Sequence, residues 1–276
     1  MSFREQYLVT PGAHLALSEL PTGVSEKHRD HVEEQHDLDE LHQRLDALQF
    51  ALYSEHKRSV LVCLQALDAG GKDGVIRHVI SAMNPQGCRV VGFKQPTPVE
   101  LAHDFLWRIE QQTPKDGEIV VFNRSHYEDV LVVRVHDLVP KDVWSRRYAQ
   151  INEFESRLAS EGTVVLKFFL HISKQEQLER FKKRLDDPAR QWKISESDYS
   201  EREYWSAYME AYGDALSRCS TPEAPWFVIP ADHKGFRNVA IARILVETME
   251  AMDIQVPKPS VDLEDIRRKY HKAANE

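Results

Sequence analysis

Residues 59–74 read Ser59-Val60-Leu61-Val62-Cys63-Leu64-Gln65-Ala66-Leu67-Asp68-Ala69-Gly70-Gly71-Lys72-Asp73-Gly74, and this stretch decides the fold. The apolar run at 60–64 predicts a short buried strand, Gly70 and Gly71 mark a turn, and a helical pattern begins at Gly74. A strand, a glycine-rich turn and a helix in that order aim backbone N–H groups and a helix N-terminus at a phosphate. Lys72 adds a point charge on a flexible stem that can follow phosphates in the same hollow. Ala69, Gly70, Gly71, Lys72, Asp73 and Gly74 are therefore expected to contact phosphate.

The loop departs from the pattern G-x-x-x-x-G-K-[ST] at two places: Ala66 holds the first glycine position and Asp73 the Ser/Thr position. The hydroxyl that ordinarily helps hold Mg²⁺ is missing, so a metal must find other oxygens, with Asp68 the obvious hard donor. The competing reading, a glycine-rich turn beside a surface lysine, does not explain why the three elements follow in this order.

The chain has 276 residues, enough for one large α/β domain or two small ones. Its net charge of −8 argues against a broadly basic surface for nucleic acid, while leaving room for a local basic site. Cys63, Cys88 and Cys219 lie far apart without metal-ligand spacing, and are expected to be buried free thiols in a reducing compartment. No signal-like start and no stretch approaching a membrane span is seen, so a cytoplasmic protein without a membrane partner is expected.

Along the chain, residues 26–55 predict a charged helix with an apolar stripe of Leu38, Leu41, Leu45, Leu48 and Leu52, expected to pack on its own domain. His28, His31, His36 and His42 lie among acids there and are expected to be solvated rather than metal-bound. Further strands are expected at 88–93, 118–122, 163–172 and 226–230. Helices are expected at 75–82, 100–112, 144–160, 174–185, 199–218 and 235–252, with one or two further turns at 263–270. Apolar strands alternating with helices imply a parallel sheet covered on both faces, whose ligands bind beyond the C-terminal strand ends.

Chemistry-bearing residues collect at those ends. Asn123 stands where a metal-binding acid usually ends the third strand, with Arg124 next to it and Glu128 and Asp129 just beyond. Arg124 is placed to bridge donor and acceptor phosphates through its planar fork. Arg180, Lys182, Lys183, Arg184, Arg190 and Lys193 fall within fourteen residues, a run that suggests a lid closing over a polyphosphate. Tyr127, Trp107 and Phe105 are candidates to stack on a base, although aromatics so spaced are more often core. Lys94 and Arg134 are candidates for the acceptor phosphate.

Taken with the loop, the segments Asn84-Pro85-Gln86-Gly87-Cys88, Phe93-Lys94-Gln95-Pro96 and Asp104-Phe105-Leu106-Trp107-Arg108 form an ordered set with two more. These are Phe122-Asn123-Arg124-Ser125-His126-Tyr127-Glu128-Asp129-Val130 and Asp187-Pro188-Ala189-Arg190-Gln191-Trp192-Lys193. Over about residues 30–255 the set resembles the polyphosphate kinase 2 family. The resemblance implies a P-loop kinase-like three-layer α/β/α sandwich with a five-stranded parallel sheet and a helical lid. It implies phosphoryl transfer between inorganic polyphosphate and nucleotides with Mg²⁺ (or Mn²⁺), and a homo-oligomer, dimer or tetramer. By resemblance, Asp68 organises metal and phosphates, Lys72 is the loop lysine, Arg124 follows the metal-acid position and Arg184 is the lid arginine. Many relatives carry Asp where this chain has Asn123, which leaves Asp68 and Asn123 as the implied metal ligands. The Asn-Arg-Ser-His-Tyr-Glu form, with Glu128, resembles the subgroup acting on nucleoside mono- and diphosphates. Lys94, Asn123, Glu128 and Arg134 are the expected nucleotide contacts, and Arg180, Lys183, Arg190 and Lys193 the expected polyphosphate contacts.

The expected organisation is an N-terminal segment and charged helix at 1–58, a kinase domain at 59–256 with a lid at about 174–198, and a charged tail at 257–276. The alternatives are an ATP-dependent nucleotide kinase on the same fold and a non-catalytic nucleotide-binding switch.

Overall fold

Strand β1 (Ser59–Gln65) is buried along its whole length, which requires a strand on each side and a helical layer on each face. A computed structural model of the chain, describing residues 2–25 and 31–275, provides all of these. The other strands are β2 (Cys88–Gly92), β3 (Ile119–Asn123), β4 (Thr163–His171) and β5 (Trp226–Pro230). They form one parallel sheet in the order β2-β3-β1-β4-β5, the expected five strands.

In chain order the helices begin with α1 (Phe3–Tyr7), α2 (His31–Glu55), α3 (Lys72–His78), α4 (Pro98–Leu101), α5 (Trp107–Glu110) and α6 (Val132–Val135). They continue with α7 (Lys141–Ser160), α8 (Lys174–Asp186), α9 (Glu196–Ser200), α10 (Trp205–Cys219), α11 (Lys234–Ala251) and α12 (Leu263–Ala273). On one face α2, α3 and α11 bury Leu38, Leu41, Leu45, Leu52, Val75 and Ile241 against Val60, Val62 and Leu64. On the other, Tyr148 and Ile151 of α7 and Ala211 and Leu216 of α10 pack with Phe169, Trp226 and Val228. The leucine stripe is thus consumed inside the protomer, as expected. It therefore supplies no argument for an oligomer.

The connection leaving β1 runs toward β2 at one edge, and the one leaving β3 passes to β4 on the far side of β1. The loops after β1 and β3 consequently part, and a crevice opens between them. The register places Leu64 opposite Asn123 and Gln65 opposite Phe169, so β1 and β3 end within a residue of each other at that crevice while β4 runs two residues further. At the other edge, Leu8 bridges Phe227 antiparallel and Val9 N–H donates to Trp226 O at 2.9 Å, so the N-terminal segment covers part of the open side of β5.

Several elements differ from expectation for local reasons. Helix α3 starts at Lys72, two residues early, because Gly71 takes a left-handed φ of 109° and turns the chain directly into it. The helix expected over 100–112 is split: Thr97, Pro98 and Glu100 form a capped start for α4, and the Asp104 carboxylate accepts from Leu106 N–H at 2.9 Å and restarts the chain as α5. Residues 199–204 belong to α9 and a 3₁₀ turn, since Ser195 and Asp198 form a capping box that begins a separate helix. Strand β2 is an edge strand, so Cys88 is half-buried rather than buried, while Cys63 and Cys219 are buried free thiols. Residues 26–30, the expected start of the first long helix, and His28 lie outside the described residues. His36 is exposed, and His42 Nε2 bonds the backbone oxygen of His78 at 2.8 Å. Among the described residues no helix is long and apolar enough to cross a membrane. In the tail, α12 carries no buried residue and is capped by Asp262, whose carboxylate accepts from Glu264 N–H at 2.9 Å.

One charged group sits in the middle of the sheet. Lys167, fully buried on β4, donates to Tyr127 Oη at 2.9 Å, to Cys219 O at 2.6 Å and to the Glu155 carboxylate, which uses its three N–H groups. Glu155 also accepts from Tyr127 Oη–H at 2.9 Å and bonds His126 Nε2 at 3.0 Å. Burial opposes ionisation of Glu155, but Lys167 and His126 outweigh it and hold the carboxyl below the ordinary glutamate range. The network ties the segment after β3 to β4 and α7. Lys167→Met leaves the Glu155 charge buried with too few partners and is expected to cost about 3–5 kcal/mol, read as a lower urea midpoint. Adding Glu155→Gln is expected to recover part of that loss, and an unshifted midpoint in the single variant would show that the network does not hold the fold.

Candidate active site

The glycine-rich loop follows β1 directly. Ala69 takes a left-handed φ of 58° and Gly71 one of 109°, while Gly70 N–H donates to Leu67 O at 2.9 Å. A Cβ on Gly70 would stand 2.4 Å from Ala66 Cβ and 2.8 Å from the Leu67 carbonyl oxygen, so only glycine lets the chain double back here. Lys72, first in α3, returns over the loop and donates from Nζ to Ala66 O at 2.9 Å, which uses one of its three N–H groups. Burial lowers its pKa and the Arg124 charge lowers it further.

Arg124 is the first residue beyond β3. Its backbone N–H donates to Leu64 O at 3.1 Å, tying the exit of β3 to the end of β1, and its φ of 65° is left-handed. A strained non-glycine backbone of this kind, held by the surrounding sheet, is characteristic of functional positions. The turn aims the guanidinium back over the loop, where Nη2 pairs with Asp68 Oδ1 at 3.2 Å. Burial opposes the Arg124 charge, but Glu128 and Asp68 outweigh it and raise its pKa. Asp68, Arg124 and Glu128 line one cleft of about 250 Å³ at the C-terminal ends of the strands. Its far wall is Trp205, Tyr208 and Tyr212 of α10, with Glu201 and Ser197 from the segment after α8. Burial and a hydrogen bond to Glu201 keep the Tyr208 phenol protonated.

Asn123 ends β3 and donates from Nδ2 to Asp73 Oδ1 at 3.1 Å, leaving its amide oxygen available. Lys193 Nζ reaches the other Asp73 oxygen at 3.1 Å. Burial pushes Asp73 up, but these two hydrogen bonds outweigh it and hold the carboxyl below its ordinary range. A carboxylate from the first turn of α3 thus stands beside the end of β3. Among the described residues no group of three or more His, Cys, Asp or Glu side chains is arranged to hold a metal unaided. The donors present are Asp68, Asp73 and the Asn123 amide oxygen. They fit an ion such as Mg²⁺, which keeps waters and takes one or two carboxylates together with substrate phosphates.

The remaining expected residues divide. Arg180 corrects the sequence reading. It is 6% exposed and spends every guanidinium N–H on protein. Nε donates to Glu176 at 2.7 Å, Nη1 to Ala69 O at 2.9 Å and Gly70 O at 3.1 Å, and Nη2 to Ala231 O and Asp232 O. It is a strut under the loop, with no N–H left for a ligand. Arg134 is similarly engaged, with Asp214 at 2.6 Å, with Glu210, and over the Trp144 ring at 4.7 Å, outside the cleft lining. Lys94 is exposed, and its backbone oxygen accepts from Arg108 at 2.8 Å. Lys183 is exposed and lowers the pKa of the nearby Lys234, where burial and Arg180 have the larger effects. Arg184 approaches Asp198 at 3.5 Å, and Arg190 pairs with Asp187 at 2.8 Å within the same segment.

Of the aromatic candidates, Tyr127 is buried in the Lys167 network, Phe105 packs under Arg147 and Trp107 stacks on His103. The cleft aromatics come instead from α10, and their spacing of three and four residues, Trp205-Tyr208-Tyr212, was visible in the sequence. Arg237, buried beside the loop, and Gln177, whose Nε2 donates to Asp68 O at 2.9 Å, carried no sequence signal.

Comparison with known proteins gives a consistent picture. The family described as Polyphosphate kinase 2 matches residues 28–257. A protein of Meiothermus ruber named AMP/ADP-polyphosphate phosphotransferase is 54% identical over 226 residues, covering 82% of this chain and 85% of its own. The ADP-polyphosphate phosphotransferase of Rhodopseudomonas palustris is 43% identical over 267 residues, covering 92% of each. The crystal structure of Polyphosphate Kinase 2 from Arthrobacter aurescens TC1 superposes with a TM-score of 0.93 at 39% identity, covering 99% of this chain and 97% of the other. With a glycine-rich loop, Lys72, Arg124 and Asp68 gathered at the strand ends of such a sheet, the chain belongs to the polyphosphate kinase 2 family.

Proposed function

We propose that this protein transfers phosphoryl groups between inorganic polyphosphate and nucleotides, reversibly, with AMP and ADP as acceptors and GMP and GDP as further candidates. The observation that carries the reading is the single crevice at the ends of β1 and β3, where Lys72, Arg124 and Asp68 adjoin a cleft walled by Trp205, Tyr208 and Tyr212. Cations over a glycine-rich loop suit phosphates, and an aromatic wall on the adjoining cleft suits a nucleoside. The activities in the names of the two relatives support the same reading, and neither name points to an ATP-dependent kinase or a non-catalytic switch.

In the proposed reaction an anionic oxygen of the acceptor phosphate attacks the terminal phosphorus of polyphosphate. A P–O bond forms to the nucleotide as the terminal anhydride P–O bond breaks, and the polymer leaves one unit shorter. The attacking oxygen carries no proton, so no general base is needed. The work is positioning and charge stabilisation. Lys72 and Arg124 offset charge on the transferred group, and Asp68 fixes the Arg124 fork through their ion pair. Lys183, Arg184 and Lys193, on a segment proposed to act as a lid, hold the polymer, while Arg180 keeps the loop in shape. Glu128, in the cleft beside the α10 aromatics, is placed to sense the acceptor. Asp68, Asp73 and Asn123 would hold Mg²⁺ (or Mn²⁺), which when bound screens the phosphate charge.

The deciding assay supplies polyphosphate as sole donor with AMP, ADP, GMP or GDP as separate acceptors. Formation of the next higher nucleotide is expected with AMP and ADP, and turnover only when ATP is the donor would refute the proposal. Lys72→Ala and Arg124→Ala are each expected to lower kcat by about 10²–10³-fold with an unchanged melting temperature. Asp73→Asn is expected to raise the Mg²⁺ concentration giving half-maximal rate by about tenfold or more, and chelation of the metal to abolish transfer.

A further inference from the structure

Helix α11 begins next to the glycine-rich loop, and its fourth residue, Arg237, is 2% exposed. Nε and Nη2 donate to the neutral amide oxygen of Asn238 at 3.2 and 2.8 Å. Among the described residues Nη1 makes no hydrogen bond and no carboxylate pairs with the guanidinium. It lies against bare backbone instead. A Cβ on Gly71 would stand 2.0 Å from Nη1 and one on Gly74 2.7 Å from Nη2, so glycine at both positions lets the charge reach the loop. Burial, and after it the charge of a second cation, Arg180, push the Arg237 pKa down to about 9.

A buried cation without a counter-charge is expensive, and a folded protein ordinarily pairs it or replaces it with an apolar side chain. Arg180 explains its own presence, because its N–H groups hold loop carbonyls and the end of β5. Arg237 holds neither, since its donors go to its sequence neighbour. What it does offer is a positive charge beneath the segment of loop between Gly71 and Gly74.

We propose that Arg237 is a positioning residue for phosphate. Its uncompensated charge, acting through the loop from below, draws the donor phosphates into place and is neutralised by them. The inference rests on the polyphosphate reading above. It assigns the loop two layers of cations, Lys72 and Arg124 above and Arg237 beneath. A consequence separates it from a scaffold role: the guanidinium weakens the ligand-free protein and strengthens the complex.

The test compares wild type, Arg237→Gln and Arg237→Lys by thermal unfolding without ligand and by titration with inorganic tripolyphosphate and, separately, ADP. Arg237→Gln is expected to melt at the wild-type temperature or above and to bind tripolyphosphate about tenfold or more weakly, a loss of about 1.4 kcal/mol. Arg237→Lys, which keeps the charge, is expected to stay near wild type in binding, and the polyphosphate KM of the Gln variant to rise by more than its kcat falls. A lower ligand-free melting temperature for Arg237→Gln, or its failure to fold, would place Arg237 in the scaffold and overturn the proposal. Tripolyphosphate binding within twofold of wild type, or a Lys variant as weak as the Gln variant, would do the same. A wild type that binds ADP but not tripolyphosphate would instead remove the polyphosphate donor, and Arg237 is then judged by the same comparison on ADP.

Discussion

The loop that organises this protein has no hydrophobic reason to keep its shape; one guanidinium gives it one. Arg180 projects from α8, takes the carbonyls of Ala69 and Gly70, and takes those of Ala231 and Asp232 beyond β5. It therefore joins the loop, the base of the proposed lid and the far side of the sheet through a side chain with no freedom left. A planar, five-donor group is the side chain that can do this, and lysine could not. Other carbonyls of the loop are taken by Gly70 N–H, Gln177 and Lys72, so the loop is held by hydrogen bonds from several sides.

The charge distribution follows the same economy. In a chain of net charge −8, cations gather about the loop beside the acids Asp68, Glu128 and Glu201 of the cleft. Arg180, under the loop, is committed to carbonyls, and away from the crevice Arg134 is committed to Asp214 and Glu210 and Lys167 to Glu155. Others are held with partial compensation, as Arg124 is by Asp68 and Lys193 by Asp73. Arg237 has none. Burial separates the first two classes, because an enclosed guanidinium ordinarily has its donors satisfied while a half-exposed one can exchange a carboxylate for a phosphate; Arg237 is enclosed and yet has no counter-charge.

The site stands on a rigid back wall. Arg124 and Glu128 are on the segment that also carries His126 and Tyr127, and those two rings are fastened to Glu155 and Lys167 in the core. The left-handed backbone at Arg124 is followed by residues anchored through these hydrogen bonds. The end of β3 is fixed in a similar way, since Asn123 donates to the Asp73 carboxylate in the first turn of α3 at 3.1 Å.

Much of this was legible in the linear chain. Apolar runs without alternation specify strands buried on both faces, and glycines between a strand and a helix specify a tight loop, because both rest on short-range sterics and burial. The five strands, the loop with Lys72 and Asp68, Arg124 at the end of a strand and the leucine stripe on the sheet were all readable on that basis. Element boundaries at 100–112 and 199–204 were not, since side-chain caps at Thr97, Asp104 and Ser195 divided what periodicity had joined. Nor could the chain tell a ligand-facing arginine from a strut. Arg180 and Arg184 sit one helical turn apart in the same basic run, yet one is locked under the loop and the other approaches Asp198. The fate of a cation depends on which carbonyls and carboxylates the fold brings within about 3 Å of it. For Arg180 those carbonyls lie 51 to 111 residues away along the chain and meet it only when the sheet closes. Sequence alone determined that a glycine-rich loop with Lys72 and Asp68 follows a buried strand; the tertiary structure decided which of the surrounding charges are already bound to protein, because those partners come together only in the folded chain.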